Sequence, residues 1–346
     1  MPRISAAPRL TRDVQALALF ALNCAAVFVV AAVLGLLGPG PGGLPFLAVP
    51  VAIYAMTGKP YFCGALIACA AMGTACAELA ASAMLGTAPV WASPWNAVLN
   101  ACMAAAGIVL AAGISRCWSY GKLAIAVAAP VFVTQAVNMV LRRETLQAWF
   151  SASIESLQAE LQAPLSQPPS ELMKAFLEQC QWLSEHWTAW MAGHIFAIAL
   201  FGACMAISFT SLWLRRVLQR PGPVGGFRTF GVPDWLAWAV IAAAVLAYVD
   251  YRWPGTPVRV VAWNLGLALT ITYWLNGLAI LVYAVYVANA INARFAGYLM
   301  TGATLLLFPQ ALAPVGLFDT WFSFRKKLDK LIEAKRLLDQ SRHDDD

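Results

Sequence analysis

Charge is what this chain has least of. Only 12% of its 346 residues are Asp, Glu, Lys or Arg, while 61% are hydrophobic, whereas a soluble domain carries about 25% charged residues. A water-soluble fold of this size is thereby excluded, because too little polar surface remains to cover such a core. Catalytic signatures are missing as well. No His-Glu-x-x-His, Gly-x-Ser-x-Gly or Gly-x-x-x-x-Gly-Lys-Ser/Thr pattern occurs, so zinc-peptidase, serine-hydrolase and phosphate-loop chemistry have no motif to rest on. The three histidines, His186, His194 and His343, do not suit a three-histidine metal site, since the last lies in the far tail. None of the eight cysteines forms a Cys-x-x-Cys pair, and most read as small buried hydrophobes. Neither an enzyme, a metal nor a cofactor is expected. Lys and Arg sit mainly at the ends of apolar runs without a dense basic block before the tail, so the net charge of +6 does not point to nucleic acid.

What the chain does have is apolar runs of about 17 to 30 residues, the length that crosses ~30 Å of hydrocarbon at 1.5 Å per helical residue. Residues 14–36 form the first, too long for the ~7 to 15 residues of a secretory h-region, and read as a retained helix. Residues 44–57 make a short helix bracketed by Pro45 and Pro50 and stopped by Gly58-Lys59-Pro60. Full spans are expected at 61–85, 94–115, 122–141 and 189–214, followed by apolar segments at 234–250, 258–287 and 294–318. Between them, residues 144–188 hold six glutamates and one lysine. Pro164 to Pro169 separates two amphipathic stretches there, the second with Ser170 as its N-cap and Met173, Phe176, Leu177, Cys180 and Leu183 at helical spacing.

The fold class that follows is all-α: a polytopic transmembrane helical bundle of about eight crossings, one short Pro-bounded helix and an extramembrane helical hairpin. Its organisation reads as an N-terminal segment 1–13, a first bundle 14–141, an acidic hairpin 142–188, a second bundle 189–318 and a basic amphipathic tail 319–346. Lys and Arg stay cytoplasmic. With the N-terminus inside, Lys59, Arg116, Lys122 and the Arg215 to Arg228 loop fall inside and the hairpin outside. Three further crossings would then carry the basic tail out, so one of the last three segments is expected not to cross. Residues 235–249 are marginal in length, and the final segment is broken by Phe308-Pro309-Gln310 and Pro314.

Three stretches of the second half carry a resemblance. Phe230-Gly231-Val232-Pro233-Asp234-Trp235, then Leu275-Asn276-Gly277-Leu278, then Gly316-Leu317-Phe318-Asp319-Thr320-Trp321-Phe322-Ser323-Phe324-Arg325 resemble the YybS-like family of bacterial membrane proteins, domain of unknown function 2232, with Asn276 where a glutamine is the expected residue. That resemblance implies a multi-pass protein of the bacterial inner membrane and no assigned activity. The architecture of the first half also resembles the S components of energy-coupling-factor transporters.

Ionisable groups inside a bilayer cost roughly 2.5 to 3.5 kcal/mol each, so they ask for a reason. Glu78 lies about 10 Å from the outer end of its span, with Thr74 and Ser82 four residues to either side. Asn96 and Asn100 recur on the next span, Thr134, Asn138 and Arg142 on the one after, and His194 follows the hairpin. Together they suggest an outward-facing polar cavity anchored by Glu78 and lined by Asn100, Asn138 and His194, with Arg142 near its mouth. Interhelical hydrogen bonding, at about 0.6 kcal/mol per bond, is the plainer explanation of the same residues. The preferred reading is a carrier or transporter subunit that binds a small molecule and has no ATPase of its own; the alternative is a non-transporting scaffold that docks a cytoplasmic protein partner or the anionic leaflet through its basic C-terminal helix. The lipid bilayer is the partner common to both. In the tail, Phe324, Leu328, Leu331 and Leu338 share one helical face.

Overall fold

The computed structural model describes residues 7–37, 43–57, 59–85, 93–162, 178, 187–217, 226–253 and 258–344. Among these the chain is helical, without strands: α1 (Ala7–Leu37), α2 (Leu44–Met56), α3 (Pro60–Leu85), α4 (Pro94–Ser115), α5 (Tyr120–Leu141), α6 (Arg143–Gln162), α7 (Trp187–Val217), α8 (Leu236–Arg252), α9 (Val258–Ala290), α10 (Arg294–Leu307), α11 (Leu312–Phe322) and α12 (Phe324–Asp344). The all-α polytopic expectation is met. Of the hairpin expected at 142–188, the first arm is helical as α6, whereas Ser170 and the Met173 to Leu183 stripe of the second lie outside the described residues.

Six described helices, α1, α3, α4, α5, α7 and α9, are long and apolar enough to cross a membrane. The pair Arg294–Leu307 and Pro309–Phe322 makes a seventh if it is one broken span, but it bends by 101°. The break falls at the Phe308-Pro309 step, where proline removes a helical donor. Reaching eight requires both α2 and α8 beside the six, or one of them beside the seven; at 13 and 17 residues, about 20 and 26 Å, they are short for ~30 Å of hydrocarbon. At the other extreme stands α9, whose 33 residues run about 50 Å and exceed the bilayer core by some 20 Å.

Contacts gather into two compact units. The first comprises Met1–Arg116, Ala126–His186 and Phe201–Thr210; the second comprises Cys117–Ile125, Trp187–Leu200 and Ser211–Asp346. Within the first, small residues let backbones approach, as helix association in lipid requires. A methyl group at Gly73 of α3 would collide with the Phe28 carbonyl of α1, and one at Gly107 of α4 with the Ala48 carbonyl of α2. Within the second, α8 packs antiparallel on α9 through Ala243, Leu269 and Tyr273, with Val232, Leu236 and Leu317 around them. The helices α9 and α11 meet more closely still. Gly277 backs onto the Leu312 carbonyl and Gly316 onto the Tyr273 carbonyl, so neither position has room for a side chain.

Candidate functional site

The polar residues singled out in the first half do come together, as a set of ties between helices. Glu78 on α3 uses both carboxylate oxygens at the start of α4: Oε2 accepts from the Ser93 backbone N–H at 3.3 Å and Oε1 from the Asn96 amide at 2.5 Å. Ser93 is itself the N-cap, its hydroxyl accepting from Trp95 N–H. A carboxylate here satisfies otherwise orphaned helix donors and meets the positive end of the helix dipole. Four residues before Glu78, Thr74 is fully buried and receives the Asn100 amide at 2.6 Å, while its own hydroxyl donates to the Ala70 carbonyl at 3.1 Å. Thus α3 and α4 are joined by two polar ties one turn apart.

Arg142 follows the last turn of α5, its backbone N–H bonded to the Asn138 carbonyl. Burial pulls its guanidinium below the ordinary value and the Glu78 carboxylate pulls it back up, so the two opposite charges sense one another. Asn138 is 2% exposed; its amide donates to Gln135 at 3.5 Å, and its Oδ1 is buried with no hydrogen-bond partner. Glu78, Asn100, Asn138 and Arg142 therefore all belong to the first unit. His194 belongs to the second, where it is exposed on α7. Its neighbour Gly193 donates its backbone N–H to Asn264 Oδ1 of α9 at 2.7 Å.

A second polar centre, which reading the sequence for sites passed over, lies where α9, α11 and α12 meet. Arg325, the second residue of α12, donates from Nη2 to Asn276 Oδ1 at 2.8 Å, and Asn276 Nδ2 donates to the Gly316 carbonyl at 2.8 Å. Asp319 sets the corner between α11 and α12. Its Oδ1 accepts the Phe324 N–H at 2.8 Å, its Oδ2 lies 3.9 Å from Arg325 Nη2, and its backbone carbonyl accepts the N–H of Ser323, which sits in the left-handed region at φ 46°. Burial lowers the Arg325 guanidinium from its usual value and Asp319 opposes that shift; an arginine remains a cation regardless. Two further groups there are buried without hydrogen-bond partners, Arg325 Nε and the Tyr273 hydroxyl.

Around this centre the basic segments of the second unit share one end. Tyr120, at the start of α5, stacks edge-on against Phe227 and Phe230 at 5.9 and 6.1 Å. Gly121 backs onto the Gly231 carbonyl, Gly231 lies beside Arg325 Nη1, and Arg228 sits 4.0 Å over the Tyr286 ring near the end of α9. One turn along α12, Asp329 accepts the Tyr283 hydroxyl. The three sequence stretches that carried the resemblance, around Gly231, Asn276 and Asp319, are thus brought together.

A family model described as "Predicted membrane protein (DUF2232)" matches residues 26–320. The chain belongs to this family. The match covers Glu78, Asn276 and Asp319 and stops five residues before Arg325, so all of α12 lies beyond it. No curated protein and no solved structure matches the chain. Membership in DUF2232 identifies a membrane protein and assigns no chemistry. Among the described residues no three His, Cys, Asp or Glu side chains gather as a metal site requires.

Proposed function

We propose that this DUF2232 protein is a scaffold of the bacterial inner membrane, which holds the basic helix α12 on its cytoplasmic side as the docking element for an acidic protein partner. The observation that carries this reading is the tie from Arg325 to Asn276. It fixes the base of α12 to a transmembrane helix, while Lys326, Lys330 and Arg336 stay exposed. Preorganising a charged helix in this way lowers the ordering cost of binding, and a positive face steers an acidic partner. The inside assignment draws support from the company α12 keeps: Tyr120, Gly121, Arg228 and Gly231 come from the loops that the lysine and arginine distribution puts in the cytoplasm. On this reading the bent pair α10 and α11 enters and leaves on one side, and both termini are cytoplasmic.

A photoreactive amino acid at Lys330, in the full-length protein in cells, tests it. A protein adduct that disappears when Lys326 and Arg336 are reversed to glutamate, and weakens in Arg325→Ala, is the expected result. No adduct from a normally inserted protein would count against the scaffold.

One observation favours a second reading, a carrier subunit with a small-molecule site at Glu78, Asn100, Asn138, Arg142 and His194. Asn138 Oδ1 is a buried acceptor with no donor, a condition native proteins seldom tolerate without a ligand, water or functional reason. Against it, both oxygens of Glu78 are already engaged. A small molecule that co-purifies with the wild type and is lost in Glu78→Gln would move the carrier ahead.

A further inference from the structure

Beyond the docking of a protein, the second unit carries a groove between α9, α11 and α12. It has a volume of about 550 Å³ and is lined by Ile280, Val315, Phe324, Lys327, Leu328 and Leu331, within the size range of small-molecule sites. We infer that this groove holds an acyl chain of one anionic phospholipid, with the lipid phosphate on Lys327.

Depth supplies the first argument. Asp250, near the end of α8, grips Arg259 at the start of α9 with both carboxylate oxygens at 3.0 Å, and Trp253 is exposed beside them. Charge pairs and tryptophan at a helix junction mark a membrane interface. Counting from Val258, the ~20 residues that cross the hydrocarbon end near Gly277. Trp235 and Trp238, exposed at the start of α8, agree, because Leu236 packs at the level of Tyr273. Ile280 lies one turn further on, at headgroup depth.

Chemistry supplies the second. Five of the six lining residues are apolar, an environment that an acyl chain fills and a free inorganic anion does not. The sixth is the only charged one. Lys327 has no carboxylate partner among the described residues; its ammonium stands 5.4 and 5.9 Å over the Phe322 and Phe324 rings, which hold it at the rim. The nearby Asp329 is engaged by Tyr283. A cation so placed favours a phosphate carrying net negative charge over a zwitterionic headgroup.

The test uses the full-length protein in nanodiscs of equimolar phosphatidylglycerol and phosphatidylcholine, released into a native mass spectrometer with enough activation to strip the lipid annulus. Wild type should retain phosphatidylglycerol in preference to phosphatidylcholine. Lys327→Gln should lower that preference roughly fivefold, Leu331→Trp, which fills the groove, should remove retention of both lipids, and Arg215→Gln, at an exposed arginine of α7, should change neither. Equal retention by wild type and both groove variants would mean annular lipid only and overturn the inference. Loss with Lys327→Gln but not with Leu331→Trp would place the lipid on the surface of α12 and overturn the groove. Loss with Leu331→Trp but no change with Lys327→Gln would overturn the headgroup assignment.

Discussion

Arg325 and Asn276 lie 49 residues apart in sequence and 2.8 Å apart in space. Because Asn276 passes its amide on to the Gly316 carbonyl, one asparagine connects α9, α11 and α12. A glutamine, one methylene longer, would have to fold back to make both bonds, whereas asparagine reaches them directly at the close approach that Gly277 and Gly316 allow.

Removing the guanidinium should therefore release α12 without unfolding the bundle. Arg325→Ala leaves Asn276 Oδ1 and Asp319 with fewer donors, a loss of about 2 kcal/mol for a hydrogen bond to a charged group. Hydrogen exchange over residues 324–331 is expected to accelerate while α9 keeps its protection. Arg325→Lys should restore little, since an ammonium lacks the planar fork that reaches two acceptors. Wild-type protection of α12 in both variants would show that apolar packing alone holds it.

A glycine at a helix crossing, set against one in open space, makes a sharper stability test. At Gly316 an added methyl meets the Tyr273 carbonyl, and backbone is harder to displace than a side chain, so Gly316→Ala should cost at least 1 to 3 kcal/mol. Gly302 in α10 has nothing within 4 Å, and Gly302→Ala should be neutral or stabilise by up to about 1 kcal/mol. Thermal unfolding of the two variants in the same detergent gives the comparison; equal melting temperatures would contradict the packing described.

Glu78 separates a tie from a binding site. Replacing it with glutamine leaves one acceptor and turns an NH2 toward either Ser93 N–H or the Asn96 amide, so Glu78→Gln should lose about 1 to 3 kcal/mol. Ser93→Ala, which removes the N-cap of the same helix, should lose about 1 kcal/mol, and the two should be non-additive because they share the start of α4. Stability unchanged in Glu78→Gln, together with loss of a retained ligand, would favour the carrier instead.

The spans were legible because length and apolarity alone decide what can cross a bilayer. The break at Phe308-Pro309 was legible too, since proline removes a helical donor whatever surrounds it. Glu78 was singled out for its cost in lipid, and Thr74 for sharing its face. What could not be read was that Glu78 caps a helix beginning fifteen residues later, because nothing local specifies which helix end a carboxylate will meet. Arg325 was missed for a similar reason. In sequence it opens a run of tail charges, Arg325-Lys326-Lys327, and only tertiary packing distinguishes the one that turns inward to Asn276. The Asp-x-Trp-x-x-Phe-Arg stretch was the available signal, since Asp319 and Arg325 flank the corner that it encodes.

Which side of the membrane α12 occupies is the measurement that matters most. In a cysteine-free background, single cysteines at Gln167 and Lys330 can be tested with a membrane-impermeant maleimide, in intact spheroplasts and after lysis. On the proposed topology, which puts the glutamate-rich segment 142–188 with its single lysine outside, the cysteine at 167 should label in intact spheroplasts and the cysteine at 330 only after lysis. Labelling at 330 in intact spheroplasts would put α12 outside the cell, and a cytoplasmic docking helix would be contradicted outright.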